Sequence, residues 1–443
     1  MNPTPGLSRR LGTLDAVVIG LGSMIGAGIF AAFTPAAEAA GGWLLLGLAI
    51  AAVVAFCNAT SSAQLAAEYP RSGGTYVYGR ERLGHWQGFL AGWGFVIGKT
   101  ASCAAMALTF ASYAAPAGWE KPVAVGAVLG LTAVNYCGVT RTARLTRVIV
   151  TLVLLALALG VTATLAGNPG AMAGNPGAVA GNPAAMAGAT ATPDAGNGAE
   201  ATSPLASAYG ILQSAGLLFF AFAGYARIAT MGEEVRNPTR TIPRAIVISL
   251  LIAVVLYAIV GGALLLVLGS EGVAATATPL ATAVSLGSWV WAVPVVRFGA
   301  ALAALGALLA LIAGIGRTSF SMAREGDLPR WLAEVHPRFH VPHRAEVIVG
   351  VAVSVLVVTV DLREAIGFSS FGVLLYYFVA NAAAFTQTGD SRRFPKWLQV
   401  AGAVLCCVLV VTLPPASVLG GVAVFLVGIG YRVIRRTIAA RRE

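Results

Sequence analysis

The chain has 443 residues, 57% hydrophobic and only 11% charged, with a mean hydropathy of +0.80; a soluble domain carries about a quarter charged residues. Long apolar runs recur from end to end, several approaching the roughly 20 residues that cross a bilayer as a helix, so the chain reads as an all-α polytopic membrane protein with a single membrane domain, residues 1–443. The net charge of +11 would suit a nucleic-acid partner, but its distribution along the chain removes that need.

Twelve spans are predicted, near 14–36, 42–67, 86–115, 122–138, 145–166, 206–230, 244–268, 294–322, 344–360, 365–386, 396–413 and 416–432. With the N-terminus inside, the predicted cytoplasmic segments together with the cytoplasmic ends of the spans hold 24 of the 29 Lys and Arg. Lys121 and Arg363 fall outside, and Lys99, Arg227 and Arg297 fall within spans. This is the positive-inside signal. It implies an even number of spans and both termini on the cytoplasmic side of a plasma (inner) membrane. The first apolar segment is too long for a cleaved signal and leads into further spans, so it is expected to remain as a helix.

Span 1 contains GLGSMIGAGIF, residues 20–30. Its glycines nearly match the dinucleotide fingerprint, but the spacing is G-x-G-x-x-x-G and the flanks, LDAVVI and FAAFTP, are membrane helix rather than a strand–helix junction. A close helix contact through Gly22 and Gly26 explains two of the glycines. An unwound break explains all four, because glycine tolerates non-helical backbone and leaves N–H groups open to an anion. In span 3, Lys99 is 13 residues after Trp86 and 14 before Tyr113, about 20 Å from each end. A lysine at that depth is a functional candidate, or it bonds the loose carbonyls of a broken neighbour.

Residues 166–186 repeat AGNPGAM, AGNPGAV, AGNPAAM and run into a Gly/Ala/Thr/Pro stretch, so 167–204 reads as an external linker with no binding role. Span 6 carries FFAFAGYARIAT (219–230) at the place corresponding to the glycines of span 1. Interrupted helices at positions one and six point to a five-plus-five inverted repeat whose breaks meet at the bilayer midplane and form the substrate site. Arg227 follows in the same segment and either pairs with Glu233, Glu234 or Glu68, or adds positive potential to the site. Glu233, Glu234, Arg240 and Arg244 form a charged turn that caps helices, gates the inner mouth, or both. Arg297 is near enough to the outer end of span 8 to snorkel. Cys57, Cys103, Cys137, Cys406 and Cys407 lie in apolar segments without metal spacing and read as packing residues. No Asp or Glu lies at mid-membrane, and His85, His336, His340 and His343 are all in predicted cytoplasmic segments.

Five stretches in order, GSMIGAGIF (22–30), EYPRSGGTYVY (68–78), FFAFAGY (219–225), EEVRNPTRTIPRAI (233–246) and MAREGDLPRWLAEVHPRF (322–339), give the chain a resemblance, along essentially its whole length, to the amino acid–polyamine–organocation (APC) superfamily of permeases. The resemblance implies a LeuT-like core of helices 1–10, about residues 14–386, with helices 11 and 12, about 396–432, at the periphery. It implies a secondary transporter of L-amino acids, neutral ones foremost, working by alternating access and driven by protons. An exchanger without proton coupling and a non-transporting amino acid sensor are the alternatives. The substrate carboxylate is expected at the backbone of Ser23, Met24, Ile25, Gly26, Ala27 and Gly28, and the ammonium at the carbonyls of Phe219, Phe220, Ala221 and Phe222, with Gly224 in the break. Phe220 and Phe222 correspond to the aromatic pair over the ligand, with Ala27, Ser102, Tyr376 and Tyr377 as further contributors to specificity.

Departures from the family pattern sharpen Lys99. The lysine that proton-coupled relatives carry in span 5 is Val153 here, the acidic residue of span 6 is Ala226, and residues 300–316 of span 8 contain no hydroxyl to ligate sodium. Lys99 is therefore expected to supply the positive charge that a coupling cation would bring, fixed or titrating, with Arg227 adding to it. No enzyme activity, cofactor or metal is expected. The expected partners are an amino acid and membrane lipid, with the protein a monomer or homodimer.

Overall fold

The computed structural model describes residues 11–70, 73–138, 143–172, 204–229, 235–339 and 341–440. Most of the seven-residue repeat, and the expected gate carboxylates Glu233 and Glu234, lie outside them. The described residues are almost entirely helical, with no strand and one isolated bridge, Leu11 to Val235. That is the outcome physical chemistry requires of apolar runs of this length. Lipid offers no hydrogen bonds, so the backbone must satisfy itself within a helix.

The elements that position the site are α1 (Thr13–Met24), α2 (Ala27–Ala31), α3 (Phe33–Ala40), α4 (Leu44–Glu68), α5 (Thr75–Leu83), α6 (His85–Ala114), α7 (Glu120–Tyr136), α8 (Ala143–Ala166), α9 (Pro204–Phe222), α10 (Ala226–Ala229), α11 (Pro238–Ala274), α12 (Pro279–Ser285), α13 (Val293–Arg324), α14 (His343–Thr359), α15 (Leu362–Phe385), α16 (Lys396–Thr412) and α17 (Pro415–Ala440). Among the described residues, nine candidate spans are long and apolar enough to cross a membrane. Helices α7, α14 and α16 have 17 residues each, about 25 Å at 1.5 Å per residue and short of a 30 Å hydrocarbon core.

Local chemistry sets several boundaries. Pro238 begins α11 after Asn237, whose φ of 47° takes the chain out of the preceding segment. Proline suits a first helical turn because its missing N–H would have had no partner there. Asp361 caps α15 by accepting from Glu364 N at 2.7 Å, and Glu364 reciprocates toward Asp361 N.

Among the nine candidate spans, α6 is the most enveloped, whereas α17 turns most of its surface outward. Small residues let α6 and α15 touch along their backbones: an added Cβ at Gly372 would sit 2.8 Å from Gly98 Cα. Between α4 and α15 runs a buried polar ladder. Ser61 donates to Asn381 (2.6 Å), Asn381 to Asn58 (2.6 Å), and Gln387 to Glu68. Bonding one another lowers the cost of burying such groups, although Asn58 Nδ2 and Gln387 Oε1 find no partner.

Candidate functional site

Two helices are interrupted, and their interruptions meet. Helix α1 keeps its last bond, Ile25 N to Leu21 O at 2.8 Å, then leaves helical geometry at Gly26 (φ −49°, ψ −130°) before α2 restarts. The first amides of α2 thereby lose intrahelical acceptors. The Ser23 hydroxyl turns back to donate to Ile19 O (2.9 Å), so Ser23 offers the break its backbone rather than its side chain. Helix α9 ends at Phe222, passes through a tight turn, Ala223–Tyr225, and resumes as α10.

The two breaks touch backbone to backbone. A Cβ at Gly28 would meet Ala221 Cα at 2.7 Å, and one at Gly224 would collide with the Ser23 carbonyl and come within 2.7 Å of Met24 N. Only hydrogen fits between the segments at these two positions. Gly26 is walled by Ala307 of α13 and Met106 of α6, each 2.8 Å from an added Cβ. Met24, Ile25, Phe219, Phe220, Ala221 and Phe222 are all buried. The side chain of Ala27 lies outside the described set.

Side chains from three other helices hold the crossing. Tyr257 of α11 places its hydroxyl 2.6 Å from Met24 O and 3.0 Å from Ala221 O. Its single proton is donated to one carbonyl at a time, and its ring packs on Phe222 at 5.0 Å. Tyr113 of α6 donates to Phe30 O at 2.9 Å. Tyr377 of α15 packs between Phe219, edge to face at 5.8 Å, and Tyr225, tilted at 5.2 Å, with its hydroxyl 3.5 Å from Ala223 O.

Lys99, 6% exposed, donates its ammonium to Ala223 O at 3.2 Å, a carbonyl released by the second break. No carboxylate among the described residues lies within ion-pair distance of it. Arg227 follows in α10, with Nη1 3.8 Å from the position of a Gly314 Cβ. Glu68, one of its expected partners, engages Arg82 (3.4 Å) and Gln387. Of the weaker candidates, Ser102 bonds Ser369 (2.7 Å) near the crossing of α6 and α15, while Tyr376 accepts from Thr75 N (3.1 Å) and so reaches toward α5. No group of three or more His, Cys, Asp or Glu among the described residues could hold a metal ion.

A second charged cluster lies between α5, the segment after α13 and α17. Asp327 accepts from Tyr76 (2.9 Å) and Arg80 (3.0 Å) and pairs with Arg432 (3.1 Å), while Arg80 also reaches Glu325 (2.9 Å). Arg435 donates to the carbonyls of Gly326 (2.9 Å) and Leu328 (2.6 Å). Burial and the neighbouring Asp327 push the Tyr76 phenol well above its usual value, so it remains a donor.

Tyr257 and this cluster escaped sequence reasoning. A tyrosine in an apolar run carries no periodic signal, and the cluster joins three segments through contacts between residues 105 to 251 apart. The glycines at 224 and 28 and the isolated lysine at 99 were the legible signals.

Comparison with known proteins shows the family of the chain. A family model described as amino acid permease matches residues 11–432. The chain is 56% identical over 435 residues to an uncharacterised transporter of Mycobacterium tuberculosis, covering 98% of this chain and 93% of that one. It is 24% identical to a branched-chain amino acid permease of Bacillus subtilis (91% and 88% covered) and 27% identical to a chloroplastic cationic amino acid transporter of Arabidopsis thaliana (88% and 68% covered).

Proposed function

Because the chain belongs to the amino acid permease family and is a multi-pass membrane protein, we propose that it carries neutral L-amino acids across the plasma membrane by alternating access, coupled to protons. The observation that carries the reading is the meeting of the two interrupted helices at Gly224 and Ser23, with Lys99 on the carbonyl beside them. In this reading all twelve helical segments span, the three short ones included. Helices 1–10 form a five-plus-five repeat, helices 11 and 12 lie outside it, and both termini are cytoplasmic.

The α-carboxylate binds the open amides of Gly26, Ala27 and Gly28, where backbone dipoles favour an anion. The ammonium binds carbonyls of Phe219–Phe222. Phe220 and Phe222, with Ala27, shape the side-chain pocket. Lys99 supplies a positive charge, fixed or titrating, where a coupling cation would otherwise be held, and Arg227 adds to it. Both disfavour a cationic side chain. Two like charges 8 Å apart at an effective dielectric of 20 repel by about 2 kcal/mol, roughly thirtyfold in affinity. Of the substrate classes in the relatives' names, the branched-chain one therefore fits this chain better than the cationic one.

The test is flux into proteoliposomes with a panel of amino acids, with and without an inward pH gradient. Neutral amino acids should accumulate, and faster with the gradient. Flux that requires amino acid preloaded inside, indifferent to the gradient, makes the protein an exchanger. Binding without flux makes it a sensor.

A further inference from the structure

Glu346 lies in the first turn of α14. A carboxylate there is ordinarily solvated and favoured by the helix dipole. The fold buries this one: the residue is 3% exposed, and Oε2 has no hydrogen-bond partner. The facing position on α13 is Gly316, where an added Cβ would lie 2.8 Å from Glu346 Cγ. The carboxyl thus lies close against a neighbouring helix, with no donor aimed at Oε2. An ionised carboxylate is expensive in that position, whereas the protonated group carries no charge and a single O–H.

The groups around it are few. Helix α13 contributes Arg317, an exposed guanidinium and the one charged neighbour acting on Glu346. Helix α7 contributes Tyr136, which packs on His343 at 5.7 Å. Helix α6 carries His85 at its start and Lys99, the latter engaged at Ala223 O. The turn Arg330–Ala333 carries the exposed Arg330. On α14 itself, His343 has an unpartnered Nδ1 and Arg344 pairs with Glu334 at 2.6 Å. No ion pair closes on Glu346 among the described residues.

The same stretch of α13 meets the first break and comes near the side chain of Arg227, two residues past the second. Ala307 packs on Gly26 of the first break, Gly314 lies by Arg227 of α10, and Gly316 abuts Glu346. Residues 307 to 316 span about 14 Å of helix. A charge gained or lost beside Arg317 is thus felt by an element that packs on the first interrupted helix and lies beside Arg227 of α10. We infer that Glu346 is a proton-binding positioning residue whose protonation biases the fit of α13 against the broken helices and so couples protons to uptake. The inference rests on the transport reading above.

The test is leucine uptake into proteoliposomes over a series of external pH values, for wild type, Glu346→Gln and Glu346→Asp. The expected result for Gln is loss of stimulation by the pH gradient, roughly tenfold on a coupling of ordinary size, while exchange against internal leucine continues. Asp should keep a pH response with a shifted midpoint. A wild-type pH profile in Glu346→Gln overturns the inference, and so does loss of exchange in both variants. Wild-type transport indifferent to a pH gradient also overturns it, together with proton coupling, and leaves amino acid transport itself standing. Absence of any flux defeats the transport reading instead. In that case infrared difference spectra of the carboxyl band, wild type against Glu346→Gln, decide whether Glu346 takes up a proton.

Discussion

Replacing Gly224 by Ala puts a methyl group where the backbone of the other interrupted helix already lies. Its Cβ would fall 2.7 Å from Met24 N and closer still to the Ser23 carbonyl. Favourable contacts of carbon begin near 3.5 Å, so the two segments would have to part by roughly 1 Å. The obstructing atoms are main chain, so no side-chain rotation relieves the clash. Overpacking of this kind costs typically ~1–3 kcal/mol, which is roughly 5- to 150-fold in an equilibrium constant. The cost falls on the state in which the breaks are in contact. A transport cycle must visit that state, so turnover suffers. The assay is initial amino acid uptake at matched incorporation into proteoliposomes, beside the thermal midpoint of the purified protein. Uptake should fall at least about fivefold. Gly130→Ala on α7 is the control: nothing lies within 4 Å of its added Cβ, so uptake should be unchanged. Wild-type uptake by Gly224→Ala would refute the crossing of the two breaks as the site.

Tyr257→Phe removes the donor shared by Met24 O and Ala221 O. Leaving a buried carbonyl unsatisfied costs ~1–3 kcal/mol, so uptake should drop with expression unaltered. Lys99→Ala removes the central ammonium; it should abolish pH-dependent uptake and raise inhibition by lysine or arginine relative to leucine, read by competition. Unchanged pH-dependent uptake would end the coupling role of Lys99. Asp327→Asn leaves Arg80 and the buried Arg432 without their shared carboxylate. Breaking a buried pair costs about 3–5 kcal/mol, so the thermal midpoint in detergent should fall clearly. Glu325→Gln, at a 53% exposed partner, should barely move it, because solvent screens such pairs.

The glycines of span 1 were readable because a break in a membrane helix leaves a compositional mark. Lys99 was readable because a charge at that depth is rare. The partner of Lys99 was not. Ala223 O is 124 residues away, and any carbonyl freed from a helix looks the same in sequence. Glu346 shows the opposite failure. Nothing in its local sequence singles it out, yet packing against Gly316 encloses it.

The sequence by itself determined where the helices are. The run predicted at 42–67 is Leu44–Glu68, and the one at 294–322 is Val293–Arg324. In lipid an apolar run of that length has one way to satisfy its backbone, so local composition suffices. Which faces of those helices meet was decided by the tertiary structure alone. Nearly every face is apolar, so hydropathy does not distinguish them. The selection falls to close packing of small residues and to a few hydrogen bonds such as those of Tyr257, which exist only once distant segments are in contact.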